Sequence, residues 1–229
     1  MCGRYALYGP ISRLSERFSA SIDDVPADFG PRYNAAPMQT LPVVRQRPGG
    51  ERVVHLLRWG LVPSWAKEPS IATRLINARG ETLAAKPAFR AAYKARRSIV
   101  PASGFYEWKA IPGGKQPYYI EPANDDLFGF AGLWERWTSP EGAPIDTFTV
   151  VTTAANAAMQ ALHERMPVIL QPEDYGLWLS RDTAPERLGQ LLAPCPDAML
   201  RMHPVSKAVG NVRNEGAQLI EASSSAQPS

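Results

Sequence analysis

Cysteine and histidine are both scarce in this sequence. Two cysteines, Cys2 and Cys195, in 229 residues make no disulfide framework, a usage that fits a reducing cytoplasm. Three histidines, His55, His163 and His203, stand in no CxxC or HExxH spacing, so no metal site is expected. A Gly-rich phosphate loop and a GxSxG elbow are also missing, which removes P-loop nucleotide hydrolysis and the α/β-hydrolase triad. With no such motif, no cofactor is expected. No apolar run reaches the roughly 18 residues of a spanning helix, and residues 1–10 lack a basic stretch followed by an apolar one. Neither a membrane protein nor a secreted one is expected. No repeat or linker interrupts the chain, so one domain is expected over 1–222, followed by a small, polar, disordered tail over 223–229.

What is present is the composition of an ordinary globular protein, 45% hydrophobic and 21% charged. A formal net charge of +3 permits a polyanionic partner without demanding one. Apolar spacing predicts a short helix over 11–20, and four prolines predict an irregular but ordered loop over 22–42. Strands are predicted at 41–46, 52–62, 98–109, 117–121, 126–137 and 146–153, with Gly49-Gly50 turning between the first two. The clearest helix is 86–97, with Phe89, Ala92 and Tyr93 on one face and a basic stripe of Lys86, Arg90, Lys94 and Arg97 on another. Such a stripe reads first as a solvated helix face. Further helices are expected at 156–163, 173–180 and 184–193. Strands concentrated in the middle, with helices before and after, predict an α+β fold.

Cys2 is the residue whose position carries chemistry. If Met1 is removed, Cys2 bears an α-amine and a thiol on adjacent carbons, a 1,2-aminothiol that condenses with an aldehyde and closes a thiazolidine ring. The amine titrates near about 7.7–8.0 and the thiol near about 8.5, so both come within reach of nucleophilicity at neutral pH. His163, in Leu162-His163-Glu164-Arg165-Met166-Pro167, reads either as an acid–base group beside a guanidinium or as a capping residue. Glu107 lies among aromatics in Phe105-Tyr106-Glu107-Trp108; it is either a partnered or pKa-raised carboxylate or an outward strand residue. Asn77 could orient an amine or a sugar oxygen, or simply end a strand. Trp59, Trp65 and Trp108, interleaved with Arg4, Arg79 and Arg165, suit stacking and phosphate contacts with single-stranded nucleic acid, or are core tryptophans. Cys195, His55 and His203 read as structural.

Taken in order, Met1-Cys2-Gly3-Arg4-Tyr5, Arg32-Tyr33-Asn34-Ala35-Ala36-Pro37, Trp59-Gly60-Leu61-Val62-Pro63-Ser64-Trp65, Ile76-Asn77-Ala78-Arg79-Gly80-Glu81-Thr82, Gly104-Phe105-Tyr106-Glu107-Trp108, His163-Glu164-Arg165-Met166-Pro167, His203-Pro204-Val205-Ser206 and Val209-Gly210-Asn211-Val212 resemble the SOS-response-associated peptidase (SRAP) family. The resemblance runs from residue 2 to about residue 221. It implies an α+β fold with a small closed β-barrel and an irregular mixed sheet surrounded by helices. It also implies a covalent thiazolidine crosslink from Cys2 to abasic sites in single-stranded DNA. In that reading Asn77 sits beside the amine, Glu107 polarises it, and His163 works on the opening sugar. Arg4, Arg79, Thr152 and Arg165 face phosphates, while Pro37, Trp65 and Trp108 stack on or wedge against bases. The DNA is the expected partner, with the protein cytoplasmic and nucleoid-associated when bound. Two other classes remain open from sequence: a peptidase with Cys2 as nucleophile, at least toward its own Met1, and a noncatalytic single-strand-binding module.

Overall fold

The computed structural model describes residues 2–223. In chain order its strands are β1 (Tyr5–Leu7), β2 (Ala20–Ser21), β3 (Arg32–Ala35), β4 (Thr40–Gln46), β5 (Arg52–Trp59), β6 (Asn77–Arg79), β7 (Arg97–Ala102), β8 (Gly104–Ile111), β9 (Gly114–Pro122), β10 (Phe128–Thr138), β11 (Pro144–Ala154), β12 (Arg165–Pro167), β13 (Ile169–Leu170) and β14 (Leu200–Pro204). The helices are short: α1 (Ser12–Phe18), α2 (Arg90–Ala95), α3 (Ala157–Gln160), α4 (Tyr175–Leu179) and α5 (Pro185–Gln190).

Strands β5, β4, β7, β10 and β11 follow one another as antiparallel neighbours, and a parallel pairing of β11 with β5, Thr147 on Arg58 and Phe148 on Trp59, closes the ring. The result is a closed five-stranded mixed barrel, the α+β fold expected. Closure leaves these strands no free edge. A second, antiparallel sheet in the order β14, β9, β8, β1, β3 lies beside it. Where β8 begins, a Cβ on Gly104 would stand 2.7 Å from the carbonyl oxygen of Ile120 and closer still to the Tyr119 ring, so only glycine lets β8 and β9 approach this closely.

The N-terminus is nailed to the barrel by Tyr5. Its ring is fully buried, 5.2 Å from Trp59 and 6.4 Å from Phe130 between centroids, and Trp59 stacks on Phe148 at 6.1 Å. Large aromatic surfaces dominate the energetics of such a core. Trp59 is therefore a core residue rather than a nucleic-acid platform, and its indole N–H donates to the carbonyl of Ile76 at 2.9 Å, tying the start of β6 to the barrel.

Several sequence expectations are corrected. The loop expected over 22–42 contains β3, and the strand expected over 98–109 is two strands meeting at Ser103. The helix expected over 86–97 spans only Arg90–Ala95, and Arg97 leaves the basic stripe altogether. It is buried in β7 and donates to the carbonyls of Trp178 at 2.6 Å, Lys94 at 2.9 Å, Tyr93 and Ser180, so it caps α2 from within the protein. The helix expected over 156–163 is one turn, opened by the Asn156 side chain accepting from Met159 N–H at 3.0 Å, so His163 lies in the connection to β12. The helix expected over 173–180 begins as a 3-10 turn at Pro172–Asp174, and the one expected over 184–193 spans Pro185–Gln190. Ser223, expected in the tail, donates its backbone N–H to Pro204 at 2.8 Å; residues 224–229 lie outside the described residues.

Candidate active site

The site is assembled where β1, β6, β8, β11 and β12 converge. Register does most of the work. Tyr5 pairs with Phe105, and Tyr106 N–H donates to Arg4 at 3.0 Å, so β8 runs alongside the N-terminal segment and carries Glu107 toward Cys2. Beyond its barrel pairing, β11 holds β6 on one side, Val150 beside Asn77 and Thr152 beside Arg79, and β12 on the other, Thr152 opposite Pro167 and Ala154 opposite Arg165. Four chain segments far apart in sequence thus present Cys2, Asn77, Glu107 and His163 to one another.

Cys2 is completely buried, part of the main hydrophobic cluster. Burial pushes its thiol up to about 12, the neighbouring Glu107 charge adds to that rise, and the backbone N–H of Arg4, donated to the sulfur, works against it. The sulfur is therefore a thiol at neutral pH. Asn77 donates its amide N–H to the carbonyl of Cys2 at 2.8 Å, and its buried Oδ1 accepts no hydrogen bond among the described residues. That oxygen is an open acceptor beside the cysteine. Glu107 is 3% exposed; burial lifts its carboxyl above the ordinary carboxylate range, and attraction to His163 partly offsets the rise. A buried carboxyl with a raised pKa beside an imidazole is suited to taking up and returning a proton.

His163 is half-buried, and its Nδ1 accepts the backbone N–H of Arg165 at 2.9 Å. The proton of the neutral ring therefore sits on Nε2, leaving that nitrogen as the donor. Arg165 is itself held by two partners: one Nη reaches the Thr152 carbonyl at 2.8 Å and Glu81 Oε2 at 2.9 Å, and the other bonds the second Glu81 oxygen.

The remaining expected DNA contacts divide into exposed and internal groups. Arg79 is exposed and forms no ion pair among the described residues, and Trp65 is 60% exposed, an unusual state for a tryptophan. Trp108 and Pro37 are half-buried. Arg4 is buried; its Nη1 donates to Asn34 Oδ1 at 2.7 Å and to the Val209 carbonyl at 2.8 Å, with its guanidinium 5.9 Å from the Trp108 ring. The contacts seen for Arg4 are thus internal, tying β1 to β3 and bracing Trp108. Thr152 is buried as well and meets Arg165 through its carbonyl. Cys195 is buried, His203 bonds the Ile220 carbonyl at 2.7 Å, and His55 lies between Arg45 and Asp24, all in keeping with structural roles.

Sequence reasoning missed Glu81, although it stands inside the Ile76–Thr82 motif, because nothing in the spacing points it at Arg165. It also missed Asn34, a buried amide that donates to the carbonyls of Asn211 and Asn214 at 3.0 and 2.9 Å.

Fold and site together define an α+β barrel protein organised around a cysteine next to its N-terminus. The profile of the family described as SOS response associated peptidase (SRAP) matches residues 1–212, and the chain belongs to that family. It is 40% identical over 223 residues to "Abasic site processing protein YoqW" of Bacillus subtilis (strain 168), covering 96% of this chain and 99% of that one. It is 33% identical over 232 residues to "Abasic site processing protein YedK" of Escherichia coli (strain K12), again covering 96% and 99%. Among solved structures, one from Bacteroides thetaiotaomicron has a TM-score of 0.89 over 97% of this chain and 100% of that one; at 23% identity the likeness concerns the fold alone. No helix among the described residues is long and apolar enough to cross a membrane.

Proposed function

We propose that this protein processes abasic sites in single-stranded DNA by forming a thiazolidine crosslink through Cys2 once Met1 is removed. The names carried by its relatives support the lesion, and one observation supports the chemistry: Cys2 is held by Asn77 with Glu107 and His163 in electrostatic contact around it.

The order of steps follows from the protonation states. The buried thiol is a poor nucleophile against a carbonyl, whereas the α-amine that Met1 removal frees adds to C1′ of the opened sugar. The proton that the adding amine loses passes to the alkoxide, making a hydroxyl; protonated Glu107 gives its own proton to that hydroxyl, which departs as water and leaves an iminium. The sulfur then adds to that carbon while its proton passes to Glu107, closing the ring. Aldehyde and aminothiol thus give thiazolidine and one water. Consuming the iminium removes the species that would drive β-elimination of the strand. His163, with its proton on Nε2, serves the ring-opening of the sugar. Arg79 and Arg165 meet flanking phosphates, supported behind by Thr152 and Arg4, and Trp65, Trp108 and Pro37 engage neighbouring bases.

Asn77 donates to the carbonyl of Cys2, one residue beyond the bond broken in Met1 removal, which supports a positioning role over an oxyanion role in peptide cleavage. The test is denaturing electrophoresis of processed protein, checked by intact mass, with an abasic oligonucleotide. A retarded band lost in Cys2→Ala and with undamaged DNA is expected; no band from processed protein overturns the proposal.

A further inference from the structure

Away from this site, α2 and α5 flank a cleft of about 630 Å³. Its floor is apolar, formed by Ala91, Tyr93 and Leu188, and its rim carries Arg90, Lys94 and Arg181. All three rim cations are exposed, and none forms an ion pair or hydrogen bond among the described residues. The nearest acids in sequence, Asp182 and Glu186, pair with none of them.

Beneath the rim lies a fourth cation. Arg97 is buried, and it donates to the neutral backbone carbonyls of Trp178, Tyr93, Lys94 and Ser180, which satisfy its N–H groups without cancelling its charge. Burial lowers its pKa, and repulsion from Arg181 lowers it further, a sign of how crowded the positive charge is here. Four cations around an apolar depression, with no carboxylate among them, form a surface complementary to an anionic ligand that also carries an apolar group.

Two polyanions could answer that description, and the floor separates them. Single-stranded nucleic acid binds where flat aromatic faces are open for stacking. Here the only aromatic ring of the floor, Tyr93, is half-buried against Trp178, 6.2 Å between centroids, and the rest is aliphatic. An aliphatic floor instead accepts a leucine- or phenylalanine-sized anchor, with arginine and lysine stems lengthening its walls. We propose that this cleft is a docking site for an acidic peptide segment of a partner protein. One apolar side chain seats on Ala91, Tyr93 and Leu188, and flanking carboxylates bridge Arg90, Lys94 and Arg181. None of these residues belongs to the Cys2 site, so the inference stands independently of the proposed reaction.

The experiment is fluorescence anisotropy on the full chain with three labelled probes: a short peptide of aspartate interleaved with leucine and phenylalanine, its counterpart with lysine for aspartate, and an oligothymidylate. Binding of the acidic peptide is expected, with none for the lysine peptide. Weakening of at least about tenfold is expected both in the Arg90→Glu/Lys94→Glu double variant and in Ala91→Glu, where the change falls on the apolar floor. All of these positions are exposed helix surface, and circular dichroism melting verifies folding. No response to the acidic peptide, or a response that neither variant weakens, overturns the proposal. So does oligothymidylate binding that alone senses the variants, which would assign the cleft to nucleic acid.

Discussion

Glu81 holds the guanidinium of Arg165, and the backbone N–H of that same arginine fixes the tautomer of His163. Arg165 keeps the Glu81 carboxyl below the usual carboxylate range, so the pair is ionised throughout the neutral region. The carboxylate is 53% exposed and occupies the fork that a phosphate would use. Replacing it with an amide releases that fork. Glu81→Gln is expected to bind single-stranded DNA more tightly, with the slope of log K against log salt steeper by about 0.7, the increment for one additional phosphate on a single strand. Unfolding free energy should change by less than about 1 kcal/mol, because the pair lies near the surface. Salt-dependent anisotropy with an undamaged oligonucleotide checks this; an unchanged slope would mean that Arg165 meets no phosphate.

Glu107 gives the protein a specific pH signature. Its carboxyl is raised by burial, so the folded state favours the protonated form more than the unfolded chain does. The contribution is fully present below the unfolded value near about 4.3 and is lost as pH rises through the raised folded value. Glu107→Gln removes the titration. The melting temperature of the variant relative to the parent should therefore climb between acidic and mildly alkaline buffers. A difference independent of pH would show that the carboxyl is not perturbed.

Asn77 acts through a single donor, the amide N–H on the Cys2 carbonyl at 2.8 Å. Asn77→Asp substitutes an acceptor for that donor and sets two oxygens against each other. The expected result is crosslinking slower by about 100-fold, the cost of a misplaced reacting group, with affinity for an undamaged oligonucleotide nearly unchanged. A stability loss of about 1–3 kcal/mol should accompany it from the unsatisfied buried group. Single-turnover gel kinetics beside urea unfolding separate the two effects.

The two tryptophans of the Trp59–Trp65 motif should behave as opposites. Trp65→Ala at an exposed position is expected to leave stability within about 0.5 kcal/mol and to weaken single-strand binding by about 1–3 kcal/mol. Trp59→Ala should cost about 3–5 kcal/mol of stability, since the ring packs against Tyr5 and Phe148 at the heart of the core. Equal effects of the two substitutions on melting would contradict this division.

Much of the molecule was legible in the residues. The long strands from β4 to β11 announced themselves through β-branched and aromatic runs, and the α+β class followed from their concentration in the middle of the chain. Short elements escaped: β1, β6 and β14 have three to five residues each, too few for any periodicity, and they exist because longer neighbours pair with them. Arg97 escaped for a related reason. Helical spacing aligned it with Lys94 and Arg90, but α2 ends at Ala95, and the turn into β7 sends the side chain inward.

The candidate site divides along the same line. Residue types pointed to Cys2, Asn77, Glu107 and His163 as candidates but left a structural reading open for each, and it was the resemblance of the ordered motifs to the SRAP family that singled them out together. Which of them meet, and in what protonation state, depended on strand register and on exclusion of water. A buried thiol pushed up to about 12, a carboxyl lifted out of its usual range and an Arg165 already occupied by Glu81 are properties of the packed barrel. They arise from desolvation and from interactions between residues far apart in sequence, such as Cys2 with Glu107 and Arg165 with Glu81, and no local stretch of the chain contains them.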